Sequence, residues 1–315
     1  MNNETNMREA LSNVRVEGLL AEKNLEVKKD KDGKDVITGD LKIQTGETNV
    51  ITFRVYTPSL KKDGTSNKIY ESMQTVMNEY KSIADVGREN ADVVRVTAGQ
   101  LTPNTFYGSN GQEVYGFQYR SSFFNRVNNP NVDDFKAEAE LEIFIRSIVE
   151  ENDKDGNSTG RLIIKGVMPL VPSEKNNVIE PITLYACAED GVADAIEQNS
   201  DIIKPGNTVV FNVNVINDIK RVKIEKPNLI GKPKIEYRDV KLEELRITGV
   251  ESYLDPEEDE TGKAYTYDII NKAMTERETR LAEKKNAATN PATNRSGNNT
   301  VGSAPRSGRS LPKGW

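Results

Sequence analysis

Glu113–Val127 reads EVYGFQYRSSFFNRV, and five aromatic residues fall within ten positions of it. Tyr115, Phe117 and Tyr119 alternate with Val114, Gly116 and Gln118. A period of two marks a strand with two distinct faces, one of them turned to a core. Rings side by side on one face, followed by Arg120 and Arg126, suit a stacking surface for nucleic-acid bases. They suit the inside of a small β-barrel equally well, so the neighbouring segments have to decide.

Upstream, Val14–Lys29 reads as a long strand with Gly18 marking a bulge or bend, and Asp30-Lys31-Asp32-Gly33-Lys34 is a hairpin turn. A second strand covers Val36–Gln44. A third, Val50–Thr57, alternates Ile51, Phe53 and Val55 against Thr52, Arg54 and Tyr56. Over Lys68–Val86 the residues Ile69, Met73, Val76, Met77, Tyr80 and Ile83 recur at helical spacing, a core-facing stripe on one helix. Asp92–Ala98 is a fourth strand, Gly99–Gln112 a loop carrying Phe106 and Tyr107, and Glu113–Val127 the fifth strand.

The order recurs downstream. Glu138–Glu151, Arg161–Leu170 and Val178–Cys187 are strands, Glu189–Ser200 a helix, and Thr208–Ile216 and Val240–Val250 two more strands. The turn Asp153-Lys154-Asp155-Gly156 repeats the earlier Asp-Lys-Asp-Gly. Two copies of one unit account for the chain better than one large domain. The expected domains are 1–130 and 131–253, then an acidic linker and helix over 254–285, and a disordered basic tail over 286–315.

Composition narrows the function. The chain has 315 residues, a net charge of −6 and no histidine. That removes the commonest general base and metal ligand, and no catalytic motif, phosphate loop or complete calcium loop stands in for them. We therefore expect no enzyme, no metal and no cofactor. Cys187, the single cysteine, lies in an apolar run and reads as a small buried hydrophobe. No apolar run nears the roughly 18–20 residues needed to cross a bilayer, and no secretory leader is evident, so a cytoplasmic protein without membrane contact is expected. Charge is uneven: residues 1–130 carry 17 basic and 17 acidic side chains, residues 131–253 carry 16 and 23, and residues 285–315 have five basic and no acidic ones.

Five strands with a helix between the third and fourth is the arrangement of an OB-fold, a Greek-key barrel that binds oligonucleotides. The fold class is accordingly mainly β: two tandem OB-fold-like five-stranded barrels, a C-terminal helix and a tail. In VRVEGLL, VITFRVYT, DVVRVTA and the aromatic strand, and again in the second unit, the chain resembles the single-stranded DNA-binding proteins of tailed bacteriophages. The resemblance covers residues 13–253. It implies sequence-tolerant coating of single-stranded DNA during replication or recombination, in the host cytoplasm, and a tail that recruits replication or recombination proteins. The tail here departs from the bacterial pattern, being basic and ending in Trp315.

In OB-folds the strand 2–3 face and the strand 1–2 and 4–5 loops meet the ligand. That nominates Lys28, Lys29, Lys31 and Lys34 on the first hairpin, Arg54 and Tyr56 on the third strand, and Phe106, Tyr107 and Arg120 around the strand 4–5 loop. In the second unit it nominates Lys220, Arg221, Lys223, Lys234, Tyr237 and Arg238, in a connection of local charge +5. As a barrel strand, Glu113–Val127 turns one face inward, with Phe117 the leading core ring, and stacking passes to Phe106 and Tyr107. The rival function is a structural or virion scaffold protein that binds no nucleic acid.

Overall fold

The computed structural model describes residues 7–107, 112–173, 176–228 and 230–289. The protein is mainly β, and its described residues form eleven strands in one continuous hydrogen-bonded sheet that curls into two barrels.

The first barrel is made of β1 (Ser12–Lys29), β2 (Asp35–Gln44), β3 (Val50–Pro58), β4 (Val93–Tyr107) and β5 (Glu113–Arg120). β1 pairs with β2 and β2 with β3, all antiparallel. β3 meets β5 in parallel through Phe53↔Tyr119 and Arg54↔Arg120, and β5 returns through β4 to β1. The closed order 1-2-3-5-4-1 is the OB-type barrel. Helix α1 (Lys68–Glu79) lies between β3 and β4, capped by the Asn67 side chain, with Met73 and Val76 buried. The expected single helix breaks at Tyr80, and α2 (Ile83–Val86) restarts under a Ser82–Asp85 capping box. The Tyr80 hydroxyl donates to the Phe124 carbonyl and accepts from the Arg126 amide, so the ring plugs the barrel end instead of continuing the helix.

Four further features depart from expectation. Gly18 is no bulge; the register of β1 shifts between Leu20 and Glu22. Gly18 instead marks a close approach, because a Cβ there would lie 2.2 Å from the Gln44 carbonyl oxygen. The expected loop Gly99–Gln112 is strand as far as Tyr107, and residues 108–111 lie outside the described residues. The expected fifth strand is two pieces, β5 and the short β6 (Asn125–Arg126), interrupted where Ser121 Oγ accepts from the Phe123 amide. At the interruption Phe124 turns inward onto Phe53 (ring centroids 5.8 Å apart) and Phe123 turns outward. Tyr119, not Phe117, is the fully buried ring of the aromatic face.

The second barrel repeats the topology. β7 (Lys136–Asn152), β8 (Ser158–Ser173) and β9 (Asn176–Ala186) form a meander. β9 meets β11 (Lys234–Leu254) in parallel at Tyr185↔Arg246, and β11 returns through β10 (Thr208–Lys226) to β7. Helix α3 (Val192–Gln198) again sits between the third and fourth strands. β10 and β11 run on past the barrel as a two-stranded ribbon, Ile219–Lys226 against Lys234–Lys241, where the sequence suggested a long basic connection.

The barrels join through their equivalent first strands, β1 against β7 from Ser12↔Leu141 to Glu17↔Lys136. Two side-chain nodes reinforce the seam. Asn49 Nδ2 donates to the Val215 carbonyl while its Oδ1 accepts from the Asn217 amide, and Asn217 Nδ2 donates to the Val50 carbonyl. At the other node, α4 (Tyr267–Thr289) lays Ile270, Ala273 and Leu281 into the core and packs on β9 and β4, so it touches strands of both barrels. The helix continues four residues past the expected start of the tail; residues 290–315 lie outside the described residues.

Candidate nucleic-acid interface

Alternation along β3 sends Ile51, Phe53, Val55 and Thr57 into the barrel and leaves Arg54 and Tyr56 outside. β5 does the same with Tyr119 inside and Gln118 and Arg120 outside. The parallel bridge between β3 and β5 sets Arg54 beside Arg120. These side chains line an open groove of about 700 Å³, together with Thr38 from β2, the β4 backbone around Gly99 and the outward Phe123. Tyr56 is 61% exposed and Phe123 50%. Rings that large are left open to water at a cost, and two of them line this one groove.

The electrostatics of the groove follow from what is missing around it. Its lining contains two arginines and no carboxylate. Arg120 Nη2 donates to the neutral Gln118 amide oxygen at 2.8 Å. Asp40 lies opposite Arg54 in the ladder but does not line the groove, and among the described residues no ion pair engages Arg54 or Arg120. In a chain of net charge −6, this is a locally positive trough with aromatic walls. Burial pushes the Tyr119 phenol far above its usual range, so the ring beneath the groove floor stays neutral.

The other nominated residues divide. The β1–β2 hairpin rises beyond the Tyr56 end of the groove, since Thr38 opposes Tyr56 and Val36 opposes Pro58. Lys28 and Lys29 there are paired with Glu26 and Asp35, while Lys31 and Lys34 stand exposed in the turn. Phe106 and Tyr107 are not in the groove. They sit at the end of β4, where the β4–β5 hairpin leans on the second barrel. Thr105 Oγ1 donates to Glu180 at 3.0 Å and the Tyr115 hydroxyl to the Pro181 carbonyl at 3.0 Å. Phe106 remains 48% exposed, whereas Tyr107 is half-buried with the Lys285 ammonium 5.8 Å from its ring centroid.

On the ribbon of the second barrel, Lys223 pairs with Glu225 and Lys234 with Glu236, both within the ribbon. Arg221 stacks over Tyr237 at 5.2 Å, and Arg238 is exposed opposite Val222. The side chain of Lys220 lies outside the described residues. Three nominated residues, Arg54, Tyr56 and Arg120, thus converge on one groove. The ribbon carries a second, separate cluster. Reasoning from sequence missed Phe123 and Gln118. The signal for Phe123 was the Ser-Ser pair ahead of it, which ends the strand and frees one of two consecutive rings to turn out.

With the geometry in place, the chain can be set beside known proteins. The profile of the YorF family matches residues 11–287, and the protein belongs to that family. A comparison with curated proteins finds no match. Among solved structures, the wild-type single-stranded DNA binding protein from Thermus aquaticus matches at TM-score 0.40 and 11% identity, over 78% of this chain and 93% of that one. A deletion mutant of the Thermus aquaticus protein matches at TM-score 0.42 and 12% identity, over 80% and 100% respectively. Likeness at this level assigns neither fold nor function, which rest here on the strand order and the groove.

Proposed function

We propose that this protein binds single-stranded DNA along the β3–β5 groove of its first barrel and coats it without performing chemistry on it. The observation that carries the proposal is the groove itself: two unpaired arginines, two outward rings and no carboxylate, in a chain that is acidic overall. Phosphates are held by Arg54 and Arg120, and bases stack on Tyr56 and Phe123, each ring contributing on the order of 1–3 kcal/mol. Lys31 and Lys34 extend the positive track at one end. The ribbon, with Arg221, Tyr237 and Arg238, supplies a second contact region for the same strand.

A role in phage replication or recombination, in the host cytoplasm, belongs to the same proposal. It is supported by the family resemblance of the strand motifs. Recruitment of replication or recombination proteins by the C-terminal tail belongs to the same proposal, and rests on the family resemblance alone. The test is fluorescence anisotropy with a labelled 40-mer of dT at low salt, set against duplex DNA and RNA. Saturable binding to the single strand that weakens steeply with salt supports the proposal. No affinity for any single strand, with the protein remaining on purified virions, would favour the scaffold role instead.

A further inference from the structure

The two barrels share a topology, so positions in one can be matched to positions in the other by register alone. The parallel bridge Arg54↔Arg120 in the first barrel corresponds to Tyr185↔Arg246 in the second. Two residues earlier on the fifth strands stand Gln118 and Glu244. On the second strands, the partners of Arg54 and Tyr185 are Asp40 and Ile163, and two residues before these come Thr38 and Arg161. The second barrel therefore has the ingredients of a groove in the same place: arginines 161 and 246 with the Tyr185 ring between them.

What differs is the state of the arginines. Glu244 accepts from Arg161 Nη2 at 3.1 Å and from Arg246 Nε at 2.9 Å. Glu151 takes the other arm of Arg161 at 3.2 Å, and the Arg161 guanidinium carbon lies over the Tyr185 ring, 4.7 Å from its centroid. Charge and ring face are both consumed inside the protein. In the first barrel the matched residue is the uncharged Gln118, which accepts one bond from Arg120 and neutralises nothing.

Resting on the proposed binding of single-stranded DNA, we infer that Glu244 keeps the second barrel's counterpart groove closed to nucleic acid, so that each chain presents one binding groove and not two. A phosphate reaching Arg161 or Arg246 must displace a carboxylate already bonded to both, and it meets that carboxylate's repulsion as it approaches. Exchange of the carboxylate for its isosteric amide at this position removes the acceptor that engages both arginines and leaves only Glu151 on Arg161. The chain then covers the length of strand expected of a single OB barrel plus the ribbon contact, despite having two barrels.

The experiment is a pair of reciprocal isosteric changes, read by anisotropy for affinity and by titration of poly-dT for nucleotides covered per chain. Glu244→Gln is expected to tighten binding several-fold and lengthen the stretch covered. Gln118→Glu, at a half-buried position lining the first barrel's groove, is expected to weaken binding on the order of tenfold. The double change Arg161→Ala with Arg246→Ala is expected to leave affinity within about twofold of the starting protein, thermal melts showing that each variant is folded. The inference is overturned if that double change weakens binding as much as Arg54→Ala does, or if a folded Glu244→Gln protein matches the starting protein in affinity and coverage. If the unmodified protein does not bind single strands, the proposed function fails and this inference with it; binding with an unresponsive Glu244→Gln overturns the inference alone.

Discussion

Replacing Arg277 by alanine removes a side chain that ties the C-terminal helix to both barrels at once. Its Nε donates to Glu180 on β9 at 2.9 Å, and its Nη2 donates to Thr105 on β4 at 2.7 Å and reaches Glu180 at 2.8 Å. The side chains of Arg277 and Glu180 are only 7% and 13% exposed. Truncation strands the Glu180 carboxylate in a poorly hydrated site, where losing one partner of a buried pair costs about 3–5 kcal/mol. Thr105 still donates to Glu180, and water entering the vacated space offsets part of the loss, which places the expectation near the lower end, about 3 kcal/mol. If the barrels unfold together, the melting temperature falls by roughly 6–12 °C, at about 2–4 °C per kcal/mol for a chain of this size class. Urea denaturation followed by circular dichroism measures the free energy directly. Replacing Arg277 and Glu180 together by methionine should recover most of the loss, because no charge is then left unpaired. A single Arg277→Ala variant within about 0.5 kcal/mol of the starting protein would refute the view that this node clamps the barrels.

Three other outcomes follow from the fold. Gly39→Ala should destabilise the first barrel by about 2–4 kcal/mol in denaturant melts, since the backbone there has φ +142° and a Cβ would lie 1.9 Å from the Asn24 carbonyl oxygen. Asn49→Ala and Asn217→Ala should each cost about 1 kcal/mol or more, and their double variant should cost less than the sum, because the two side chains share one bonded hook. The Thr261 hydroxyl and the Ala264 amide hold the Asp259 carboxyl down to about 2, against 3.8 for an ordinary aspartate. A depressed carboxylate stabilises the fold fully above its unfolded pKa and loses that contribution as pH falls through the folded one, so this contribution is intact above about pH 4 and drains away toward pH 2. Asp259→Asn should flatten the fall in melting temperature across that window; an unchanged pH profile would count against the assignment.

The parts of this architecture visible in the sequence are those set by short-range alternation. Ile51, Phe53 and Val55 against Arg54 and Tyr56 placed both a core face and an outward face on β3, and the repeated Asp-Lys-Asp-Gly turn pointed to two units. Charge and turn-forming residues hid the rest. Gly99–Tyr107 looked like a loop because of its Gly, Pro, Asn and Thr, although Leu101, Pro103 and Thr105 alternate inward through it. Lys220–Lys241 looked like a solvated connection because lysines mask the pairing of β10 with β11. Contacts between distant segments left no local trace: the β1–β7 seam, and Arg277 buried on a helix whose composition reads as charged and exposed. The contrast between Gln118 and Glu244 acquires meaning only once the two barrels are superimposed strand by strand.

If Arg54 and Arg120 hold the phosphates, the affinity of the Arg54→Ala, Arg120→Ala double variant for a labelled 40-mer of dT across a salt series reports it. Losing two phosphate contacts should weaken binding at least tenfold at low salt and reduce the slope of log affinity against log salt by about 1.4, at about 0.7 per contact for single strands. A folded double variant that binds with the starting protein's affinity and salt slope would place the nucleic acid elsewhere, or nowhere, on this protein.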